Sequence, residues 1–342
     1  MTSHLQAPAA NTETKTMRAV VQRAYGENAG EVFEMADVPV PNIEPDEVLI
    51  RVAASSINAM DWHYMTGTPY FLRLENGLRT PKRTIPGADV SGTVVKVGSD
   101  VTGFKPGDEV FGEVDGGGFA EYAVGKAQIL AHRPTSLPLD EAAALGVAAL
   151  TALQGLRDWA GMKPGDRVLI NGASGGVGTF AVQIARALGA SHVTAVCSTA
   201  NVETARSLGA NRVIDYTKED FTEIDDRFDV FFDNAGSKSL TQSRRMLTEK
   251  GILVMVTGKK GKWIRPLDRL LAGVIRSKFW SQRLINRVAK PSGEDGTVLA
   301  HLVDDGKLRP VIDRRFNLEE AIDAIAYQAT GHARGKTVVE VS

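Results

Sequence analysis

Cysteine is almost missing from this sequence, because Cys197 is the only one in 342 residues. A single thiol cannot form a disulfide framework, and it cannot supply a four-cysteine zinc lobe within one chain. The composition is typical of a reducing compartment, and we therefore expect a cytoplasmic protein.

An excess of charge of one sign and long apolar runs are missing as well. Lys and Arg number 40 and Asp and Glu 41, for a formal net charge of −1 at pH 7. This balance argues against nucleic acid or an anionic membrane as the main partner. No run is long enough to span a bilayer, and residues 1–16 lack the apolar core of a secretory signal. We expect a disordered N-terminal tail, no stable membrane insertion and a small-molecule partner.

Short β-like runs make up the first part of the chain. Turn-forming clusters separate them, and this pattern predicts an antiparallel, barrel-like unit. The runs lie at residues 17–22, 47–53, 90–97, 109–111 and 119–124. With 342 residues, the chain is long enough for two domains of about 150 residues each.

Strands that alternate with helices follow from about Pro138, after an alanine-rich helix predicted at residues 141–153. Alternation with apolar strands predicts a doubly wound parallel sheet covered by helices on both faces. We expect its strands at 167–170, 192–197, 212–214, 228–233, 251–256 and 287–290. The residues after Pro291 are expected to return to the first domain as two helices and two strands.

Residues 259–287 are basic and apolar together. One hypothesis is an amphipathic helix that lies on a membrane surface. The other is a helix packed over the substrate cleft or a subunit interface. We favour the second, because apolar helix faces are usually buried within proteins.

The glycine-rich stretch Asn171 to Gly178, NGASGGVG, lies between a predicted buried strand and a predicted helix. Glycines at such a turn let the backbone approach a pyrophosphate, and the free amides at the helix start favour the anion. Its spacing, Gly172-x-x-Gly175-x-x-Gly178, departs from the strict G-x-G-x-x-G fingerprint, and a purely structural turn is the alternative. In this context the stretch predicts a dinucleotide site.

Further segments accompany the glycine turn. They are Ser56-Ile57-Asn58-Ala59-Met60-Asp61, Pro86-Gly87-Ala88-Asp89-Val90-Ser91-Gly92, Leu208-Gly209-Ala210, Val213-Ile214-Asp215-Tyr216 and Gly331-His332-Ala333-Arg334-Gly335-Lys336. Together they resemble the medium-chain dehydrogenase/reductase superfamily, in its zinc-free, quinone oxidoreductase-like (enone reductase-like) branch. The resemblance implies an α/β protein with a GroES-like β-barrel catalytic domain, residues 17–137 and 291–342. It also implies a Rossmann doubly wound parallel sheet, residues 138–290.

The positions that resemble metal ligands argue against zinc. Zinc-dependent members carry a cysteine near Asn58 and a Gly-His-Glu where this chain has Gly87-Ala88-Asp89. A catalytic zinc needs three protein ligands, and neither Asn58 nor Ala88 can serve. His63, His132 and His301 remain, but isolated histidines are more often surface or hydrogen-bonded residues. We expect no metal site.

The reaction that the resemblance implies is hydride transfer from NADPH to a quinone or an α,β-unsaturated carbonyl, an acceptor that is already electrophilic. A homodimer paired through the last sheet strand would fit the family. The alternative is a cofactor-binding protein of the same fold that has little turnover and acts through partners.

The resemblance also assigns cofactor contacts along the chain. It implies Asn58 and Thr151 at the nicotinamide, Ser174, Gly175, Gly176, Val177 and Gly178 at the pyrophosphate, Tyr216 at the adenosine, Asn234 and Thr257 along the sheet edge, and Arg334, Gly335 and Lys336 closing over the cofactor. Each position has a structural alternative. Asn58 could cap a turn, Thr151 could pack a helix, and Tyr216 could belong to the core.

The loop after the second strand of the nucleotide domain predicts a preference for NADPH over NADH. NAD-preferring sites place an Asp or Glu there, and a carboxylate repels a 2′-phosphate. Here the loop offers the hydroxyl and amide groups of Ser198, Thr199 and Asn201, and Arg206 could add charge one turn later.

A proton donor is needed if the acceptor is an enone, and a positioned acid contributes roughly 10²–10⁴-fold. Enoyl reductases of the superfamily place a tyrosine after Asn-x-x-Asp and a glycine, which this chain resembles in Asn58 to Asp61 followed by Gly67-Thr68-Pro69-Tyr70. Tyr70 is therefore the leading candidate, ahead of Tyr64 and His63. The alternative is that Tyr70 only packs beside Phe71.

Overall fold

The computed structural model describes residues 15–256, 281–331 and 333–342. Most of the predicted N-terminal tail, the cofactor candidate Thr257 and most of the basic and apolar stretch 259–287 therefore lie outside the described residues.

A six-stranded parallel sheet forms in the second part of the chain. Its strands are β8 (Arg167–Asn171), β9 (His192–Cys197), β10 (Arg212–Asp215), β11 (Phe228–Asp233), β12 (Leu247–Met255) and β13 (Arg283–Asn286). They lie in the order β10-β9-β8-β11-β12-β13. Val168, Leu169 and Ile170 in its centre are completely buried because helices cover both faces. The predicted doubly wound sheet is confirmed.

The last strand of this sheet was predicted at the wrong place. β13 lies four residues before the predicted 287–290, and Leu284 and Ile285 pair with Leu253 and Val254 of β12. Val288 is 84% exposed, so the predicted segment has no buried apolar face. Short apolar runs near a chain turn cannot fix a strand by themselves.

A seven-stranded sheet, largely antiparallel, forms the other large unit. Its strands are β3 (Glu47–Ile57), β4 (Asp89–Val97), β5 (Glu109–Glu113), β6 (Tyr122–Lys126), β7 (Leu130–His132), β14 (Ile312–Asn317) and β15 (Lys336–Glu340). They follow the path β14-β15-β3-β4-β5-β7, and β6 pairs with β3. A separate pair joins β1 (Thr16–Gln22) to β2 (Phe33–Pro39). β15 pairs antiparallel with β3, so the C-terminal residues return to this sheet.

The helices connect these strands. They are α1 (Ala29–Val32), α2 (Ala59–Thr66), α3 (Leu72–Asn76), α4 (Leu139–Ala142), α5 (Gly146–Gln154), α6 (Gly176–Ala187), α7 (Val202–Ser207), α8 (Leu240–Arg245), α9 (Gly293–Asp304) and α10 (Ala321–Ala329). The single alanine-rich helix predicted at 141–153 is instead two helices, α4 and α5, with a break after Ala142. Among the described residues, no helix is both long enough and apolar enough to cross a membrane.

The largest hydrophobic cluster joins the two units. It combines Phe111 and Ala131 of the seven-stranded sheet with Ile170 and Phe232 of the six-stranded sheet, and Leu299 of α9 completes it. Burial across this boundary fixes the relative position of the two sheets. As a result, the N-terminus of α6 lies against the first residue of β15, where the candidate site forms.

Candidate functional site

The glycine turn lies at the carboxyl end of β8, where helix α6 begins at Gly176. Gly172 has φ +81°, a left-handed conformation that favours glycine. A methyl group on Gly178 would lie 2.0 Å from the carbonyl oxygen of Gly172, so only glycine lets the helix start this close. Residues 174–177 are half-buried at the N-terminus of α6, and the backbone amides at such a position favour a pyrophosphate.

Asn234 lies beside this turn, directly after β11. Its backbone amide donates to the carbonyl of Asn171 at 3.0 Å, and its side-chain nitrogen is 3.8 Å from an ideal Cβ at Gly175. Strands β9 and β10 are added on one side of β8, and β11 to β13 are added on the other side. Ligands of open α/β sheets bind at such a switch point in strand order. The structure thus brings Asn234 to the same edge as the glycine turn.

The predicted adenosine end lies after β9 and β10. Asn201 donates to the Ser198 hydroxyl at 3.0 Å, and the Thr199 hydroxyl donates to Asp215 at 2.6 Å. The Thr199 and Thr217 hydroxyls hold the pKa of the Asp215 carboxyl below its usual range. Thr199 is therefore engaged with a carboxylate within the chain.

Tyr216 is 60% exposed, so it does not belong to the core. It lines a cavity of about 260 Å³ together with Lys218 and Lys238. Lys218 is exposed and lies 3.2 Å from the Asp215 carboxylate. Arg206, in contrast, pairs with Glu203 on the exposed surface of α7.

A buried polar cluster occupies the other end of the site, and we call Asn58, Asp89 and Lys336 the amide-lysine cluster. The Lys336 ammonium donates to Asn58 Oδ1 at 2.7 Å and to Asp89 Oδ2 at 3.1 Å. The Asn58 side-chain nitrogen donates to the same Asp89 oxygen at 2.8 Å. Asp89 is completely buried, and Lys336 is 2% exposed.

Two further groups complete the shell of Asp89. The Ser56 hydroxyl donates to Oδ2, and the backbone amide of Val147 donates to Oδ1 at 2.7 Å. Thr151 lies one turn along α5, where its hydroxyl donates to the Val147 carbonyl at 2.6 Å. With these donors the buried carboxylate is satisfied, as a buried charge requires.

Two acids with raised pKa values lie around this cluster. Burial raises the pKa of Asp61 to about 7, although the backbone amide of Asn58 donates to its carboxylate at 2.7 Å. Burial and the nearby carboxylates of Asp89 and Asp61 raise the pKa of Glu113 to about 8. Glu113 is directly opposite Asp89 in the β4-β5 pair, so both side chains lie on one face of the sheet.

The proton-donor candidates lie on α2 and the loop after it. The Arg83 guanidinium lies over the Tyr64 ring at 4.8 Å, and Arg73 lies over the Tyr70 ring at the same distance. Burial raises the pKa of Tyr64 above its usual value. His63 is 2.7 Å from the Thr68 carbonyl through Nδ1, so one ring nitrogen is already engaged.

Arg334, Gly335 and Lys336 do not act alike. Arg334 is exposed, and its backbone amide donates to Asp313 at 3.1 Å. Gly335 has φ +111°, which turns the chain into β15 and directs Lys336 inward. Of the three, only Lys336 contacts Asn58 and Asp89.

Comparisons with known proteins identify the family of this chain. A family model described as "Alcohol dehydrogenase GroES-like domain" matches residues 44–135, and one described as "Zinc-binding dehydrogenase" matches residues 208–339. A chloroplastic quinone oxidoreductase of Triphysaria versicolor is 35% identical over 95% of this chain and 99% of that protein. The chain belongs to the medium-chain dehydrogenase/reductase superfamily.

Other members of the superfamily are also similar. A chloroplastic NADPH-dependent alkenal/one oxidoreductase of Arabidopsis thaliana is 33% identical over 95% of this chain and 80% of that protein. The solved structure of a quinone oxidoreductase from Coxiella burnetii has a TM-score of 0.83 at 32% identity, and the match covers 96% of this chain and all of that one. The predictions of the superfamily, the fold class and a nicotinamide-dependent oxidoreductase are confirmed.

The zinc named by one family description does not fit the residues present here. Within the described ranges, no group of three or more His, Cys, Asp or Glu side chains could hold a metal ion. At the positions that resemble metal ligands stand Asn58 and Ala88, and the Lys336 ammonium contacts Asn58 directly. A buried ammonium that contacts the same side chains would repel a metal cation.

Sequence reasoning gave no role to several residues of this superfamily site. Asp61, Asp89 and Ser56 belong to the family-like segments, but no function was predicted for them. No function was predicted for Glu113 or Lys218 either. An acid at the start of an apolar strand, such as Asp89 in β4, is a signal that the sequence offers. Such an acid is expected to have a polar or charged partner, because an unpaired charge is rarely buried. Glu113 carries no such signal, since an acid lies at each end of β5 and both Glu109 and Glu113 are half-buried.

Proposed function

We propose that this protein transfers hydride from NADPH to a quinone or an α,β-unsaturated carbonyl without zinc. The observation that carries the proposal is the amide-lysine cluster next to the glycine turn, where paired polar side chains take the place of a metal ligand set. Without a Lewis acid, the acceptor must itself be electrophilic, as quinones and enones are. The quinone and alkenal/one activities named for its relatives support this substrate class.

In this proposal the chain mainly binds and orients. Ser174 to Gly178 hold the pyrophosphate at the N-terminus of α6, and Asn234 borders it on the sheet edge. Asn58 and Thr151 border the nicotinamide, and NADPH supplies the hydride when bound. Tyr70, with Tyr64 and His63 as alternatives, supplies the proton that an enone needs after reduction.

We also propose a preference for NADPH over NADH. Ser198 and Asn201 lie close together at the loop after β9, and Lys218 adds an exposed ammonium next to Tyr216. These groups can donate to a 2′-phosphate, whereas Asp215 already accepts from Thr199. Lys218 was not identified from the sequence and replaces Arg206 as the candidate cation.

The domain boundaries, the oligomeric state and the location belong to this proposal too. Residues 17–137 and 291–342 would form the catalytic domain, which the pairing of β15 with β3 supports. β13 is an edge strand of the described parallel sheet, so a homodimer could pair through it. The buried single thiol of Cys197 is consistent with a cytoplasmic protein.

The decisive experiment is a panel of quinones, enals and simple ketones, each assayed with NADPH and NADH, with and without a chelator. We expect oxidation of NADPH by quinones or enals and no reduction of simple ketones. Equal or better kcat/KM with NADH would contradict the cofactor preference. Tight NADPH binding without turnover on any acceptor would favour the alternative of a cofactor-binding protein.

A further inference from the structure

We propose that Lys336 is a positioning residue that fixes the side-chain amide of Asn58 and ties the acceptor end of the site to the glycine turn. This inference rests on the proposed function for its kinetic consequence. Its structural content, the orientation of Asn58, depends only on residues of the chain.

The Lys336 ammonium forms its hydrogen bonds with residues of two other elements. Lys336 begins β15, yet its Nζ contacts Asn58 at the start of α2 and Asp89 at the start of β4. The side chain is almost fully enclosed, at 2% exposure. Burying an ammonium is costly unless it is paired, so this lysine is fixed by its two partners rather than free to sample solvent.

The stem of the same side chain passes the cofactor end of the site. A methyl group built on Gly176 would lie 2.9 Å from Lys336 Cδ, so the aliphatic stem packs against the first residue of α6. One side chain therefore spans the distance from the expected pyrophosphate position to Asn58. The Lys336 side chain therefore contacts both the glycine turn, through its stem, and Asn58 at the start of α2, through its ammonium.

Lys336 and Asp89 contact opposite ends of the Asn58 side-chain amide, and the same side chain also takes part in a capping box with Asp61 at the start of α2. Lys336 has only donors, so it selects the amide oxygen, while the Asp89 carboxylate accepts from the amide nitrogen at 2.8 Å. The amide nitrogen also approaches the Ser56 carbonyl at 3.3 Å. Loss of the ammonium would leave the amide oxygen without this partner, and the amide could rotate.

Neutralisation of Asp89 is the competing explanation for Lys336. Asp89 already accepts from Ser56, Asn58 and the Val147 amide, so the carboxylate has three donors besides the lysine. If charge balance were the whole role, removing both charges would restore function. If Lys336 positions Asn58, it would not.

The test compares four variants with the parent protein: Lys336→Met, Asp89→Asn/Lys336→Met, Asn58→Ala and Asn58→Ala/Lys336→Met. The double change at Asp89 and Lys336 removes the pair without leaving a buried charge, and we expect its melting temperature to return toward that of the parent. We expect kcat on a quinone to stay reduced in it by roughly 10²-fold, the size of a small misplacement of reacting groups. The NADPH dissociation constant should change much less than kcat.

The double-mutant cycle of Asn58 and Lys336 tests whether Lys336 affects kcat through Asn58. Asn58→Ala/Lys336→Met should lose no more kcat than Asn58→Ala alone, because Lys336 acts through Asn58. Lys126→Met is the matched control, since it removes an exposed lysine that pairs with Asp46 at 2.9 Å. It should leave kcat and the NADPH dissociation constant unchanged.

A crystal structure of Lys336→Met, which keeps the Asp89 acceptor of the Asn58 amide nitrogen, supplies a readout that needs no turnover. A rotated or disordered Asn58 side chain would support the proposal, and an unchanged Asn58 would overturn it. Recovery of parental kcat in Asp89→Asn/Lys336→Met, or additive losses in the Asn58 cycle, would also overturn it. If the parent itself turns over no acceptor, the proposed function fails, while the orientation of Asn58 still decides the role of Lys336.

Discussion

Glu113 shows how a single side chain can make stability depend on pH. Burial, together with the charges of Asp89 and Asp61, raises its pKa from 4.5 to about 8. Between these values the unfolded chain releases the proton while the folded chain keeps it. The contribution of Glu113 to folding is therefore fully present below about pH 4.5 and is lost as the pH rises toward 8.

We predict that Glu113→Gln stabilises the protein at pH 8 and changes little at pH 4.5. Full use of about 1.4 kcal/mol for each of roughly 3.5 pH units would give about 5 kcal/mol. Glu113 is only half-buried and is partly screened by solvent, so the expected gain at pH 8 is on the order of 2 kcal/mol. Denaturant unfolding at both pH values measures it. Glu109→Gln on the same strand is the control, since Glu109 pairs with Arg133 at 2.7 Å and should give no gain at pH 8. An equal effect of Glu113→Gln at both pH values would contradict the prediction.

Tyr70 has a separate, catalytic prediction. We expect Tyr70→Phe to lose enone turnover by roughly 10²-fold or more while it keeps quinone turnover, because a quinol can take its proton from water. Both rates are measured at saturating NADPH, with the cofactor dissociation constant determined separately. Tyr122→Phe on β6 is the matched control, since Tyr122 is a half-buried tyrosine without an assigned role. Unchanged enone turnover in Tyr70→Phe would remove the donor role.

At the scale of elements, the strand-turn-helix unit of β8 and α6 carries both a structural and a binding requirement. Gly178 allows the helix to start against the carbonyl of Gly172, whereas an ideal Cβ at Gly175 would make only ordinary van der Waals contacts, the nearest at 3.8 Å. Gly178 is therefore needed for close packing of the turn, whereas Gly175 lets a ligand approach the backbone.

Gly178→Ala is expected to destabilise the fold by about 2 kcal/mol, since a Cβ 2.0 Å from a backbone oxygen forces the turn and helix apart. Gly175→Ala should leave the melting temperature nearly unchanged and weaken NADPH binding instead, because its methyl group occupies ligand space. Thermal unfolding and cofactor titration distinguish the two. A Gly178→Ala protein with parental stability would show that the turn relaxes freely.

At the scale of the whole molecule, the two sheets meet through one hydrophobic cluster and through Lys336, so the site exists only in the assembled chain. The amide-lysine cluster supplies a protein cation between Asn58 and Asp89. A metal ion bound there would have to displace it.

We accordingly predict that activity survives exhaustive chelation and that elemental analysis finds no stoichiometric zinc. Added zinc should not raise the melting temperature, because a ligand stabilises a fold only when it binds the native state. A zinc-dependent member of the superfamily, treated in parallel, provides the positive control for removal of the metal. One tightly held zinc per chain would contradict the prediction.

Features that repeat along the chain or depend on near neighbours could be predicted from the amino-acid sequence. Apolar strands alternating with helices predicted the parallel sheet, and the glycines between β8 and α6 predicted the dinucleotide turn, because both patterns depend on neighbours in the chain. The break between α4 and α5 and the position of β13 were missed, since packing against other elements decided them.

The acceptor end of the site depends on long-range contacts that form only in the folded chain. Lys336 is 278 positions from Asn58 and 247 from Asp89, and no local periodicity connects residues so far apart. The resemblance gave Lys336 a place over the cofactor, whereas the fold turns its ammonium inward at Gly335 and buries it against a carboxylate and an amide. Pairing of buried charges depends on which strands become neighbours, and that is settled when the core closes.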